Sequence, residues 1–139
     1  MTRRQIEQEF AAKATRKYLR DWITSAEDFY RVAHRDLAKT NLYGATCFYA
    51  RQCADFYLKA FLIQHDVELK ITWNLPTLNR LCAKIEPSFK DIAIFAKRLA
   101  PFDEKVLYPG FSATQADAKD CVTAMREIRK CVRARLGLK

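Results

Sequence analysis

The sequence predicts an all-α protein, an up-and-down bundle of five to six helices. The chain has 139 residues but only three glycines and four prolines, so few residues interrupt long helices. Apolar residues recur at spacings of three and four, and no segment alternates polar and apolar residues as a strand does. Half of the residues are apolar, which is enough for a buried core in one domain of this length.

The first 40 residues predict a long basic helix or two helices in succession. Thr24-Ser25-Ala26-Glu27 has the form of a capping box, so a second helix could begin there. Otherwise the first helix continues to about Thr40. We expect a single domain over residues 1–139, in which residues 1–21 are a basic helical extension. Every fourth residue of the extension is apolar, which gives a narrow stripe of Ile6, Phe10, Ala14 and Tyr18.

Residues 42–65 predict a helix that is apolar around more than one face. Such a helix lies at the centre of a bundle or between two partners. Its aromatic side chains favour a buried dimer seam. Gly44 in its first turn costs about 1 kcal/mol relative to Ala, which indicates close packing or a frayed start. The aromatic residues are Phe48, Tyr49, Phe56, Tyr57 and Phe61.

Three more helices are predicted, because cap residues and helix breakers punctuate the second half of the chain. Asn74 and Pro76 begin a helix that continues to about residue 85. Ser88 begins the next helix, which Pro101 ends. One long loop follows over residues 101–113. The last helix is capped by Thr114 and Asp117 and ends at Gly137. The first of the three is expected to bury Leu78, Leu81, Cys82 and Ile85.

The net charge of +9 lies on the two ends of the chain. Residues 1–20 carry six basic and two acidic residues, and residues 119–139 carry seven basic and two acidic residues. The middle of the chain is neutral, with twelve of each sign. A basic end is suited to phosphate, although a solvated helix face is the alternative explanation. The candidate contacts for a nucleotide or nucleic acid share one helix face and are Arg126, Arg129, Lys130 and Arg133.

The five cysteines predict free thiols in a reducing compartment. Their number is odd and none has CxxC spacing, which argues against a disulfide framework and a zinc knuckle. No stretch is long and apolar enough for a membrane span, and residues 1–9 do not resemble a secretory signal. We therefore expect a cytoplasmic protein with no metal and no cofactor.

Four segments in order follow a known pattern. They are residues 22–29, 48–62, 70–75 and 107–110. The second segment is the most specific, since it keeps Gln52, Ala54, Leu58, Lys59 and Ala60 of a characteristic helix. Together they resemble the HEPN family (higher eukaryotes and prokaryotes nucleotide-binding), over about residues 22–136. The resemblance implies a bundle of the HEPN type, similar to the substrate-binding subunits of nucleotidyltransferases.

The departures from the family pattern affect polar positions. Leu107 replaces the usual Arg before Tyr-Pro, and Trp73 replaces the usual His. Phe56 stands where Lys is common, and Arg51 replaces a Gln. The apolar frame is kept, so the resemblance implies a divergent member whose original activity has changed.

Many HEPN proteins are metal-independent ribonucleases with an Arg-x4–6-His motif, in which Arg stabilises charge on the phosphorus and His handles the proton. The chain has two histidines, His34 and His65, and no Arg precedes either at that spacing. Lys59 with His65 is the nearest substitute, although Lys does not offer the forked donors of Arg. The sequence therefore favours a protein without this catalytic activity.

Three functions remain open. The first is a non-catalytic homodimeric platform or nucleotide-binding partner, which the resemblance associates with a minimal nucleotidyltransferase in a toxin–antitoxin-like system. The second is a metal-independent ribonuclease with a degenerate active site, and the third is an RNA-binding or DNA-binding protein without chemistry. In the ribonuclease and in the nucleic-acid-binding protein, the basic face of the last helix would bind the phosphates of the nucleic acid.

Overall fold

The computed structural model describes residues 1–139, apart from the side chains of residues 11, 12 and 14. Within these bounds the fold is all-α, as predicted, with five α-helices, two short 3-10 helices and no strand. No helix in the described part is both long and apolar enough to cross a bilayer. The α-helices are α1 (Arg3–Lys39), α2 (Tyr43–Gln64), α3 (Leu75–Ile85), α4 (Ala93–Leu99) and α5 (Gln115–Arg135), and the 3-10 helices are Pro87–Ile92 and Glu104–Leu107.

Helix α1 is one uninterrupted helix of 37 residues, so no second helix starts at Thr24. At about 1.5 Å per residue it is roughly 55 Å long. All described side chains of residues 1–18 are exposed, and Leu19 is the first that is partly covered. The predicted stripe lies on this exposed half: Phe10, for example, is 71% exposed. Its member Ala14 lies outside the described side chains.

Helix α2 is the centre of the bundle and packs chiefly against α1 and α5. Tyr57 and Phe61 belong to the buried core. Phe56 packs against α1, with ring centroids 4.7 Å from Trp22 and 5.2 Å from Phe29. These aromatic side chains are therefore used within one chain. They give no support to a dimer seam on α2.

Helix α3 begins as predicted, but it buries a different set of side chains. Asn74 Oδ1 accepts a hydrogen bond from the backbone N–H of Thr77 at 2.9 Å. Leu78 and Cys82 are buried, whereas Ile85 at the last turn is 39% exposed. The polar Asn79 is buried instead. Ile85 is exposed because α3 ends there and the chain turns into the following 3-10 helix.

The segment after α3 differs from the prediction in its first turns. The Glu86 side chain, not Ser88, caps a 3-10 helix over Pro87–Ile92, and α4 continues from it. A second irregular stretch, residues 65–74, joins α2 to α3, so residues 101–113 are not the one long loop. That loop also contains the 3-10 helix Glu104–Leu107.

Both predicted ends of α5 are confirmed. Thr114 Oγ1 accepts from the Asp117 backbone N–H at 3.1 Å, and the Asp117 carboxylate accepts from the Thr114 N–H at 2.9 Å. At the other end, Gly137 has φ +76°. The backbone N–H groups of Gly137 and Leu138 then bond back to the carbonyls of Ala134 and Arg133, which completes a Schellman motif.

Candidate functional site

Polar side chains of α1 and α5 meet along one line, which we call the α1–α5 seam. Three residues of α1 and three of α5 form it, and each set has the spacing i, i+3, i+7. That spacing places each set on one face of its helix. Tyr57 of α2 contacts the seam from the core side. The seam residues are Glu27, Tyr30 and His34 on α1 and Arg126, Arg129 and Arg133 on α5.

Glu27 is the centre of the hydrogen-bond network in the seam. Arg129 donates to both of its carboxylate oxygens, from Nε to Oε2 at 2.8 Å and from Nη2 to Oε1 at 2.6 Å. The Tyr57 hydroxyl donates to Glu27 Oε2 at 2.6 Å. Arg133 Nη1 donates to the Tyr57 oxygen at 3.1 Å and lies 3.6 Å from Glu27 Oε1. The fork of Arg129 is the strong, directional form of an ion pair.

The network is ionised at neutral pH. The hydrogen bonds from Arg129 lower the pKa of Glu27 to about 2, against an opposing effect of burial, and Tyr57 and Arg133 lower it further. Burial and the neighbouring Glu27 carboxylate raise the pKa of Tyr57, so its hydroxyl stays protonated and donates. The same carboxylate raises the pKa of Arg129. Glu27 therefore fixes the orientation of the Arg129 guanidinium. Arg133 is held by the Tyr57 oxygen and by the backbone oxygen of Lys139, to which its Nε donates at 2.7 Å.

Arg126 and His34 form the exposed edge of the seam. Arg126 Nε lies 3.2 Å from His34 Nε2, and Arg126 Nη2 lies 3.2 Å from His34 Nδ1. Burial and the nearby charges of Arg126 and Arg129 lower the pKa of His34, so the imidazole is neutral at pH 7. A neutral imidazole carries a proton on one nitrogen, so only one of these contacts is a hydrogen bond donated by Arg126. The other ring nitrogen keeps its proton.

Tyr30 contacts both Arg129 and His34 in the seam. The Arg129 guanidinium lies over the Tyr30 ring, 4.1 Å from the centroid. The His34 ring packs against the same tyrosine with centroids 4.4 Å apart. Aromatic contacts of this kind hold a planar guanidinium in place without neutralising it.

The seam carries more positive than negative charge. Arg126, Arg129 and Arg133 contribute three positive charges, Glu27 contributes one negative charge, and His34 is neutral. Because two of the guanidinium groups are already oriented, the ligand that fits this chemistry is an oxyanion such as a phosphate.

Three of the four predicted contact residues lie in the seam, and the fourth does not. Lys130 faces the other side of α5, where it lies beside Ser88 and Asp91 at the 3-10 helix. It makes no ion pair with any described side chain. Sequence reasoning missed Glu27, Tyr57 and the contribution of His34. Glu27 and His34 belong to a set with the same i, i+3, i+7 spacing as the arginines, whereas Tyr57 on α2 has no such signal in the sequence.

Lys59 and His65, the two weaker candidates for a functional site, have different neighbours. Lys59 Nζ lies 2.7 Å from the buried carboxylate of Asp55 and 5.7 Å from the centroid of the Trp22 ring. His65 follows the end of α2 and packs on Phe61 at 4.5 Å between centroids. The two candidates are six residues apart, which along a continuous α-helix would place them about 120° apart around the axis. The contacts therefore give Lys59 a role in packing α2 against α1.

The described residues contain no group of three or more His, Cys, Asp or Glu side chains arranged to hold a metal ion. All five cysteines are free thiols. Burial raises the pKa of Cys53, Cys82 and Cys131, so these thiols are protonated at neutral pH.

Comparison with known families decides which family this fold represents. The sequence matches the HEPN domain over residues 19–135, which is most of the chain. The chain belongs to the HEPN family. The match starts at Leu19, where the side chains of α1 begin to be covered, and ends at Arg135, the last residue of α5. No curated protein sequence matches the chain.

Two solved structures share this HEPN fold. TT1696 from Thermus thermophilus superposes with a TM-score of 0.67 at 21% sequence identity, covering 84% of this chain and 96% of that one. ST0689, described as an archaeal HEPN homologue, superposes with a TM-score of 0.65 at 22% identity, with the same coverage of both chains. At this level of identity the likeness concerns the fold alone.

Proposed function

We propose that this HEPN protein is a non-catalytic homodimeric platform that binds the phosphate groups of a nucleotide at the α1–α5 seam. In this proposal it works beside a partner protein of the minimal nucleotidyltransferase type, as one half of a toxin–antitoxin-like pair. Its free thiols suit the reducing cytoplasm. The observation that carries the proposal is that two arginines are already oriented, Arg129 by the Glu27 carboxylate and Arg133 chiefly by Tyr57 and the Lys139 backbone oxygen, with Arg126 exposed beside them.

The geometry supports phosphate binding for two reasons. Guanidinium groups that are fixed before the ligand arrives lose little side-chain freedom on binding. The excess of positive charge at the seam attracts an anion, and this attraction is weakened by salt. A solvated basic helix face would have neither the Glu27 fork nor the Tyr30 contact.

Calorimetric titration with ATP tests the seam directly. Arg126→Ala should weaken binding by about tenfold, because it removes one charge-assisted contact at the exposed edge. Lys130→Ala is the matched control, since it removes the same charge from the same helix outside the seam. It should leave the affinity unchanged. Equal loss in both variants would show that only the general charge of α5 matters.

The platform part of the proposal concerns association. Light scattering after size-exclusion chromatography should give twice the chain mass of 16.2 kDa. A mass of one chain at micromolar concentration rejects the homodimer. Tagged protein isolated from its native host, with and without nuclease treatment, should retain a nucleotidyltransferase in both samples. Recovery of RNA or DNA with no protein would favour a nucleic-acid-binding role instead.

One observation favours a second candidate, a ribonuclease with a rearranged active site. Arg126 and His34 are 92 residues apart in sequence, yet they touch at the exposed edge of the seam. An Arg that stabilises negative charge on a phosphate and a neutral His that accepts a proton are the groups such a reaction needs. The linear motif is absent, but α1 and α5 bring the same residue types together.

Cleavage of single-stranded RNA in EDTA tests this candidate. Wild-type protein should cleave, and both His34→Ala and Arg126→Ala should abolish cleavage. Lys59→Ala and His65→Ala are the controls, since the structure gives those residues other neighbours. Cleavage that survives in all four variants belongs to a contaminant, and no cleavage by the wild type rejects the ribonuclease.

A further inference from the structure

A cleft on the far side of the bundle from α1 lies between α3, the 3-10 helix Pro87–Ile92 and the start of α4. Its volume of about 490 Å³ is in the range of sites that hold small molecules. Four of its lining residues are apolar and form a surface against which a flat or aliphatic group can pack. They are Pro76, Ala83, Pro87 and Ala93.

Three cations surround this apolar surface. Arg80, Lys84 and Lys90 line the cleft, and none of them forms an ion pair with a described side chain. Arg80 and Lys84 are four residues apart on α3, so their charges lie on the same helix face and repel each other. No acidic side chain in the described structure lines the cleft. An oxyanion would relieve this repulsion.

A buried polar side chain forms part of the wall. Asn79 is only 3% exposed, and its Nδ2 group donates to the backbone carbonyl of Phe89 at 3.1 Å. This bond identifies the other amide atom as oxygen, because a carbonyl accepts but does not donate. Asn79 Oδ1 has no hydrogen-bond partner among the described residues. Buried carbonyl oxygens normally have one, but this oxygen is covered from the cleft, so it is an unsatisfied atom behind the wall and not a contact for the ligand.

We propose that this cleft, lined by Arg80, Lys84 and Lys90, binds a small organic oxyanion, a phosphate or carboxylate carried on an apolar body. The apolar body packs between Ala83 and Ala93, and the charged group is held by the three cations. The cleft shares no residue with the α1–α5 seam. The inference is therefore independent of the function proposed for the seam.

Amide chemical shifts on titration with three probes test the proposal. The probes are inorganic phosphate, phenyl phosphate and benzoate. Phenyl phosphate or benzoate should shift the backbone amides of Ala83 and Ala93 and the side-chain amide of Asn79. Half-saturation should come at a concentration at least about tenfold lower than with inorganic phosphate, because only the organic probes use the apolar surface. The tighter of the two organic probes identifies the oxyanion as phosphate or carboxylate.

Variants that remove positive charges test whether the probes bind in this cleft. Lys84→Ala with Lys90→Ala should weaken binding of the tighter probe by at least about fivefold, because two of three cations are lost. If the double variant does not fold, the two single variants are measured in its place. Lys97→Ala on α4 and Arg126→Ala at the seam are the controls and should bind as the wild type does.

Three results would overturn the cleft proposal. One is the absence of shifts at these amides with every probe. Another is equal binding of inorganic phosphate and the organic probes. The third is loss of binding in Arg126→Ala but not in the lysine variants. That last result would place the ligand at the seam and support the function proposed there, so the two proposals fail separately.

Discussion

At the scale of single residues, one carboxylate holds together side chains from three helices. Glu27→Gln should destabilise the fold by about 2 kcal/mol at pH 7, because the half-buried Arg129 and Arg133 lose their charged acceptor. Urea unfolding measures the loss. Glu7→Gln is the control: it breaks the exposed Arg3–Glu7 pair and should cost less than about 0.5 kcal/mol. Equal losses would contradict a central role for Glu27.

The stabilising effect of Glu27 should depend on pH in one direction. Its pKa falls from an ordinary value of 4.5 to about 2 in the folded protein, so its contribution is complete above pH 4.5. The contribution is lost as the pH falls from about 4.5 to about 2. The stability difference between wild type and Glu27→Gln should therefore shrink across that range. A difference that stays constant from neutral pH down to about pH 3 contradicts the lowered pKa.

The cysteines should react slowly in the native protein. Four of the five are buried, and only Cys131 is partly exposed. Burial raises the pKa of Cys53 and Cys82, and a protonated, covered thiol is a poor nucleophile. A colorimetric thiol reagent should modify at most Cys131 within minutes, and all five thiols after denaturation in guanidinium. Rapid reaction of several native thiols would contradict the packing of α2 and α5.

The sequence identified the arginines of the seam but not their partners. Arg129 and Glu27 are 102 residues apart, and Arg126 and His34 are 92 apart. Residue spacing reveals which side chains share a face of one helix, whereas these contacts depend on how two helices are placed side by side. The search for an Arg-x4–6-His motif, which the chain lacks, has the same limit of scope. It tested neighbours along the chain and not across the bundle.

At the scale of elements, two glycines should respond in opposite ways to the same substitution. A Cβ at Gly44 would lie 3.8 Å from the Val106 carbonyl and 3.9 Å from Phe111, which is ordinary contact. Gly44→Ala should therefore stabilise the protein by about 0.5–1 kcal/mol. Gly137→Ala should cost about 1 kcal/mol, because its φ of +76° suits only glycine well. Thermal unfolding compares them; destabilisation by Gly44→Ala would indicate closer packing than the structure shows.

The two halves of α1 should differ in stability. The described side chains of residues 1–18 are exposed, whereas Ala26 and Ala33 are completely buried. A helix segment without packing is marginal in water. Backbone amides of residues 5–16 should therefore exchange with solvent at least about a hundredfold faster than those of residues 26–33. Equal protection along α1 would mean that the first half is covered in solution.

Helix positions were predictable where capping residues and breakers mark them, as at Asn74, Thr114 and Gly137. The 3-10 helix Pro87–Ile92 was not, because its cap is Glu86, which also ends α3. Asn79 resembles a surface residue in the sequence, yet it is buried, and its amide donates to the Phe89 carbonyl. Local rules describe the ends of helices well, but which face is covered depends on the neighbouring elements.

At the scale of the whole molecule, the excess charge is divided between structurally different places. The basic residues of the N-terminal end lie on the exposed half of α1, in front of the HEPN match that begins at residue 19. Those of α5 lie within the domain, and three of them meet Glu27 and His34 at the seam. Composition reports both ends as basic, but only the second is organised by opposite charge and aromatic contacts.

Under the proposed function, phosphate binds at the α1–α5 seam and is not attracted merely by the overall positive charge of the chain. A nucleotide should then perturb the seam alone. Chemical shifts of the arginine Nε–H groups and backbone amides on titration with ATP measure this directly. We expect saturable shifts at the Nε–H group of Arg126 and at the backbone amides of the seam residues, with no shifts along residues 3–17. Shifts confined to residues 3–17, or spread over both basic ends without saturation, would contradict phosphate binding at the seam.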